Sequence, residues 1–270
     1  MKKICFLAMC CLTLGFAACN EDKETLVENE KKMGRVYKSG TENGHDYVDL
    51  GLPSGTLWAT CNVGASKPEE YGNRYFWGEV IPQEGYVNPH ECTYKYSMYS
   101  GLDGLTKYTT NIYQTASGMK PDDKTVLESE DDVAHVNWGG KWKMPTKAQF
   151  EEILSQCFMV ETYNYNNSKV WGCIIFKAKT SSDKGKKIYS YETPSSSYSL
   201  SDAHIFLPAA GYRDFGGLHY AGSYGNYWAS SLYADYPYDA WSVYFDSDGV
   251  NYNDDLRYDG QSVRAVCPAE

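Results

Sequence analysis

Asp248-Gly249 lies between two short apolar runs, Trp241 to Phe245 and Val250 to Tyr252. An Asp-Gly pair flanked by such runs is among the strongest short-range signals for a β-hairpin. From Ile205 onward the chain keeps this habit, short strand patterns alternating with turns until an apparent closing strand at Ser262 to Cys267. Residues 46 to 60, DYVDLGLPSGTLWAT, read as another hairpin around a Pro-Ser-Gly turn, and Val170 to Lys179 as a buried strand. Strands therefore occupy both ends of the chain.

Helical signals sit between them. Thr146 and Gln149 make a capping-box pattern after Pro145, and Phe150, Ile153, Leu154 and Cys157 follow at helical spacing. Ser129 with Asp132 three residues on predicts the cap of a shorter helix reaching Asn137, with Val133 and Val136 on one face and Gly139-Gly140 ending it. Strands at the ends and helices in the middle predict an α+β fold. The stretch from Val80 to Met119 has no sustained period and reads as a long irregular insertion, which in a compact domain points to a functional loop.

The N-terminus reads as a processing signal. Lys2 and Lys3 form a basic start, Ile4 to Leu14 is apolar and too short to span a bilayer, and Gly15-Phe16-Ala17-Ala18-Cys19 follows. That order resembles a bacterial lipoprotein signal at residues 1–18 with Cys19 as the lipidated residue; cleavage after Ala18 as an ordinary secretory signal is the alternative. The polar run through Lys32 predicts a solvated tether over residues 19–39, and the acids after Cys19 resemble a surface-export signal. Loss of Lys2 and Lys3 with the leader takes the net charge from −10 to −12. Such a balance, with no basic stripe, argues against nucleic acid or an anionic lipid surface as partner, leaving the lipid anchor as the expected membrane contact.

Five segments in order, YVDLGLPSGTLWATCNVGA (47 to 65), WGGKWKMPTKAQFEEIL (138 to 154), LPAAGYR (207 to 213), YGNYWASS (224 to 231) and GQSVRAVC (260 to 267), resemble the Fibrobacter succinogenes major paralogous domain, a family of Bacteroidetes surface lipoproteins. The resemblance covers about residues 40 to 268 and implies a single C-type-lectin-like domain over 40–270, with two helices flanking short antiparallel β-sheets and long loops. It also implies an outer-membrane, cell-surface location and a ligand surface within Tyr233 to Asp259. LPAAGYR, YWASS and SVRAVC read as scaffold.

Within that span the candidate ligand-binding residues are Tyr233, Tyr236, Tyr238, Trp241, Asp246, Asp248, Asn251, Tyr252, Asn253 and Tyr258. Tyrosine and tryptophan supply large contact area at low conformational cost, and Asp and Asn supply adaptable hydrogen bonding. A glycan or a surface protein is the expected ligand. The oxygen density of the acids admits calcium, yet neither the EF-hand order nor the EPN and WND motifs of calcium-dependent lectins are present, so no cofactor is expected.

No G-x-S-x-G elbow, P-loop or H-E-x-x-H occurs and the five histidines are scattered, so an enzyme is not expected. Rival readings are a structural or assembly component of the envelope and a protein diversified near its C-terminus by a retroelement, whose Tyr, Asp and Ser alphabet the run from Tyr227 to Asp259 shares. Cys61 near the start of the domain and Cys267 at its end form a candidate disulfide staple, with buried reduced thiols as the alternative.

Overall fold

The computed structural model describes residues 36–84, 94–99, 104–189 and 197–269, so the signal peptide, Cys19, most of the tether and Cys92 lie outside the described residues. The first strands are β1 (Gly40–Glu42), β2 (His45–Val48), β3 (Thr56–Asn62) and β4 (Arg74–Tyr75). Helices α1 (Val133–Trp138) and α2 (Lys147–Gln156) follow, then β5 (Cys157–Thr162), β6 (Gly172–Lys177), β7 (Lys187–Ile188) and β8 (His204–Pro208). The chain closes with β9 (Tyr212–Asp214), β10 (Gly217–His219), β11 (Gly225–Leu232), β12 (Asp239–Asp246), β13 (Gly249–Leu256), β14 (Gln261–Ser262) and β15 (Arg264–Pro268).

These strands build four sheets, in the orders β1-β2-β3-β15, β13-β12-β11-β14-β4, β7-β5-β6-β8 and β10-β9. Among the described residues strand accounts for 37% and helix for 12%, which corrects the expected α+β, lectin-like class to a mostly β, sandwich-like one. The physical reason lies in helix length. At six and ten residues the two helices are too short to cover a sheet face, so the sheets cover one another.

Helix α2 forms where its spacing predicts, with the reciprocal Thr146–Gln149 capping box and with Phe150, Ile153 and Leu154 buried. Phe150 packs on Trp58 of β3 at 5.2 Å, in a core that also takes Cys173 and Ile175 from β6 and Val243 and Phe245 from β12. Alternate residues of β6, Ile174 and Phe176, face a smaller cluster on the opposite side, which is why that strand reads as continuously apolar. Helix α1 begins three residues later than the Ser129 cap predicts. Asp132 is its N-cap, accepting from the Ala134 and His135 amides, while Ser129–Asp131 is a separate 3-10 turn. Of the predicted stripe Val133 is buried, but Val136 is 45% exposed.

The strand expected at Ser262 to Cys267 is two strands. Gln261–Ser262 pairs with β11 and β4, and after Val263 the chain changes sheet so that β15 pairs with β3. Arg264 holds this corner. Fully buried, it donates from Nε to Asn62 Oδ1 and from its terminal nitrogens to the carbonyls of Ala59, Thr60 and Phe206, at 2.8–3.1 Å.

The Cys61–Cys267 staple is not formed, and both residues carry free thiols. Register explains why. Cys267 lies opposite Leu57 and so falls four residues from Cys61 along β3, roughly 13 Å at 3.3 Å per residue, against a bridgeable Cα separation below about 7 Å.

The described part of the insertion, 80–84, 94–99 and 104–119, carries no element beyond isolated bridges, yet it is built into the core. Tyr94, Tyr96, Leu105, Tyr108 and Ala116 are buried, around a fully buried Arg257 that follows β13. The guanidinium lies 4.8–5.9 Å from the ring centres of Trp77, Tyr94, Tyr96 and Tyr108. It donates to Tyr94 Oη and to the carbonyls of Lys107, Tyr108 and Pro237 at 3.0–3.2 Å. The insertion is thereby fastened to the strand that leads into the groove described next.

A candidate ligand-binding groove on the late strands

Strand alternation sorts the β12–β13 hairpin into two faces. Val243, Phe245 and Val250 point into the core, while Tyr244 and Asp246 of β12 share the other face with Asn251, Asn253 and Asp255 of β13. The turn is centred on Ser247-Asp248, because Asp246 pairs with Gly249, one residue earlier than the Asp-Gly signal places it. Asp246 Oδ1 accepts from the amides of Asp248 and Gly249, a side-chain-closed turn.

The polar face forms one side of a groove of about 430 Å³. Tyr224 and Asn226, at the start of β11, extend it, and Tyr212, Asp214 and Phe215 supply a further side. Backbone hydrogen bonds in both directions between Arg213 and Gly260 bring Tyr258, Asp259 and Gln261 beside that hairpin. Two aromatic pairs border the space, Phe215 with Tyr258 at 4.5 Å and Tyr224 with Tyr244 at 6.5 Å.

The polar groups are acidic or amide. Asp255 accepts from Ser242 Oγ and Gln261 Nε2 at 2.6 Å each and from Asn253 Nδ2 at 2.7 Å. Asp214 Oδ1 lies 2.6 Å from His219 Nε2 and accepts from the Gly216 amide. Burial, then repulsion from Asp255, Asp214 and Asp239, pushes the Asp259 carboxyl up to about 8. Burial first, with Asp254 and Asp255 second, moves Asp239 up to about 6, and Asp255 is raised chiefly by burial. Two lining residues carry buried side-chain oxygens, Gln261 Oε1 and Asn226 Oδ1, that have no hydrogen-bond partner.

Of the residues singled out from sequence, Asp246, Asn253 and Tyr258 line the groove. Asn251 shares their face at the rim, its Nδ2 3.5 Å from Tyr244 Oη. The others are dispersed. Trp241 is covered by the ammonium of Lys147, 3.6 Å from the ring centre, and by Tyr233 edge-on at 5.0 Å. Tyr238 packs against the main core, and Tyr236, exposed, stands edge-on to it. Tyr252 lies on the hairpin's opposite face and Asp248 in the turn. Tyr212 went unread because it falls inside LPAAGYR, a segment read as scaffold, and Tyr224 and Asn226 because they precede the expected ligand span of Tyr233 to Asp259. Trp228 within YGNYWASS is scaffold indeed, fully buried and donating Nε1 to the Tyr75 carbonyl.

Outside the groove, Glu128, Glu130 and Asp131 offer oxygens close enough to share a metal ion. Lysines already hold that place. Lys107 Nζ is 2.6 Å from Asp131 and 2.7 Å from Glu128, and Lys95 Nζ is 2.7 Å from Asp131. Although burial opposes it, these ammonium groups keep the Asp131 carboxyl below its ordinary range.

A family model described as a domain of unknown function (DUF8237) matches residues 180–266, a stretch that contains every residue lining the groove. No curated protein and no solved structure matches the chain.

Proposed function

We propose that this chain is an exported, lipid-anchored surface protein whose groove binds a glycan. The observation that carries the reading is the groove itself, which pairs aromatic faces with buried amide oxygens that lack partners. A sugar presents both a C–H face for the rings and hydroxyl donors for the oxygens, and pockets of this size with a few convergent polar groups are the usual form of small-ligand sites. Export and anchoring rest on the order Lys2-Lys3, apolar run, small residues and Cys19, and on the resemblance of the five motifs to a surface lipoprotein family. On this reading the ligand surface is Tyr244, Tyr258 and the residues that face them rather than Tyr233, Tyr236 and Tyr238.

An assembly role in the envelope draws on a different feature, the exposed Met98, Tyr99, Ile112 and Tyr113 of the insertion. A glycan array followed by titration separates the two. Tyr244→Ala and Tyr258→Ala are each expected to weaken the strongest glycan by about tenfold, the scale of losing one aromatic anchor. Full affinity in both variants, or loss on Tyr236→Ala instead, removes the groove as the site.

A further inference from the structure

We infer that the glycan taken by this groove carries a free amino group, held as an ammonium between the Asp255–Asp259 carboxyls and the Gln261 side-chain oxygen. The inference rests on the glycan-binding reading and narrows it to unacetylated amino sugars.

The first support is the sign of the lining. Asp214, Asp246, Asp255 and Asp259 all line the space, and among the described residues no lysine, arginine or histidine does. The imidazole of His219 meets one of these acids, its Nε2 2.6 Å from Asp214 Oδ1. Carboxyls gathered without a counter-ion repel one another, and that repulsion contributes to holding Asp259 partly protonated near neutrality. A cation placed among them relieves it.

The second support is independent of charge. Gln261 is 1% exposed, and its Nε2 is committed to Asp255 Oδ2 at 2.6 Å. That bond fixes the orientation of the amide, so the atom left over is the acceptor Oε1, buried and without a donor on a residue that lines the groove. An acceptor buried in this way costs about 1–3 kcal/mol until a donor arrives. Asn253 Nδ2 is spent on Asp255 too. Apart from the proton that Asp259 holds near neutrality and gives up to pair with a cation, the polar groups on this side therefore offer acceptors, and an ammonium is the group with three donors and no acceptor. An acetamido group would instead set a carbonyl oxygen against carboxylates.

The third support distinguishes an organic cation from a metal ion. Calcium takes six to eight oxygens at about 2.3–2.6 Å, so its ligands crowd within about 5 Å of one another. Among the described residues no three groove carboxyls come within 4.8 Å of one another. An ammonium on a pyranose ring needs no such convergence, and the neighbouring faces of Phe215 and Tyr258 suit both the ring and the charge.

Calorimetric titration of the protein with chitosan tetraose, its fully N-acetylated counterpart, cellotetraose, a trilysine peptide and calcium chloride tests the inference. The expected result is binding of chitosan tetraose at least tenfold tighter than either neutral tetraose or trilysine, at low salt and neutral pH. Asp259→Asn and Asp255→Asn should each remove about tenfold of that affinity while leaving thermal midpoints close enough to the parent for folded protein at 25 °C. Asp259→Asn is the variant that keeps the test sharp if the hydrogen-bonded Asp255 proves needed for folding. Equal affinity for the amino and neutral tetraoses overturns the ammonium site and leaves the glycan groove standing; no affinity for any sugar overturns both. Trilysine binding as tightly as chitosan, or micromolar calcium binding that Asp259→Asn abolishes, also overturns it.

Discussion

Replacing Arg257 by Met tests whether the groove depends on the core behind it. The guanidinium is fully buried and supplies hydrogens to three backbone carbonyls, those of Lys107, Tyr108 and Pro237, and to the Tyr94 hydroxyl. Methionine approximates the aliphatic volume and removes the cost of burying a charge, which often makes such replacements harmless when the partner is a side chain that can be exchanged as well. Backbone carbonyls cannot be exchanged. Tyr94 retains its own bond to the Trp77 carbonyl, so three acceptors lose their donor. At about 1–2 kcal/mol for each, with about 1 kcal/mol for the lost cation–π contacts and an offset from the relieved desolvation, the net loss is about 4 kcal/mol. For a domain of this size that amounts to roughly 10 °C in Tm. Urea unfolding followed by tryptophan fluorescence, together with a thermal melt, reads both quantities. Arg257→Lys, which keeps the charge but reaches fewer acceptors, should fall between the parent and the Met variant. Limited proteolysis adds a local readout, since segments 94–99 and 104–110 lose their fastening to the end of β13 and should be cleaved first. A loss below about 1 kcal/mol, or a lysine variant less stable than the methionine one, would refute the assignment of stability to directed hydrogen bonds.

Thr146→Ala removes the acceptor for the Gln149 amide in the capping box and should lower stability by about 1 kcal/mol in the same urea assay, with no change expected in glycan affinity. The pH dependence follows from Asp259. Its carboxyl is raised to about 8 in the fold against about 3.9 in an unfolded chain, so the folded state holds the extra proton between these values. Its contribution is whole below pH 4 and is lost as pH rises through 8. Urea midpoints should therefore fall from pH 5 to pH 9, and Asp259→Asn should flatten the slope; an increase over that range would contradict the burial of the acid. Trp241→Ala is expected to leave glycan affinity within twofold, because Lys147 and Tyr233 already cover the ring, and a tenfold loss would return that residue to the site. Since Cys61 and Cys267 are free thiols, mild reductant should not shift Tm, and mass spectrometry after alkylation of the unfolded, unreduced protein should find both labelled.

Local chemistry made parts of this architecture legible in advance. The capping box at Thr146, the apolar spacing of α2 and the continuous apolar character of β6 are interactions among near neighbours in the chain, and propensity speaks to those directly. The hairpin at residues 246–249 was readable for the same reason, although the acceptor geometry of Asp246 placed its turn one residue earlier than the Asp-Gly pair suggested. Fold class depended on something else. The motifs announce helices but carry no measure of how much sheet face those helices can cover, and two short helices leave the sheets to cover one another.

The groove shows the same division. Alternation along β12 and β13 was in the sequence, and it separates Tyr244, Asp246, Asn253 and Asp255 from the core-facing Val243 and Phe245. That Trp241 is covered by a lysine from α2, and that Tyr212 and Tyr224 line the groove, follows from chain crossings between segments far apart in sequence. The sequence by itself determined the residue alphabet of this protein, its strand periods and its acidic, aromatic character. Tertiary structure alone decided which acids gather in the groove and which buried amide oxygen is left without a donor. Charge repulsion and the satisfaction of a hydrogen bond depend on distances of a few ångströms, and only the packed fold sets those.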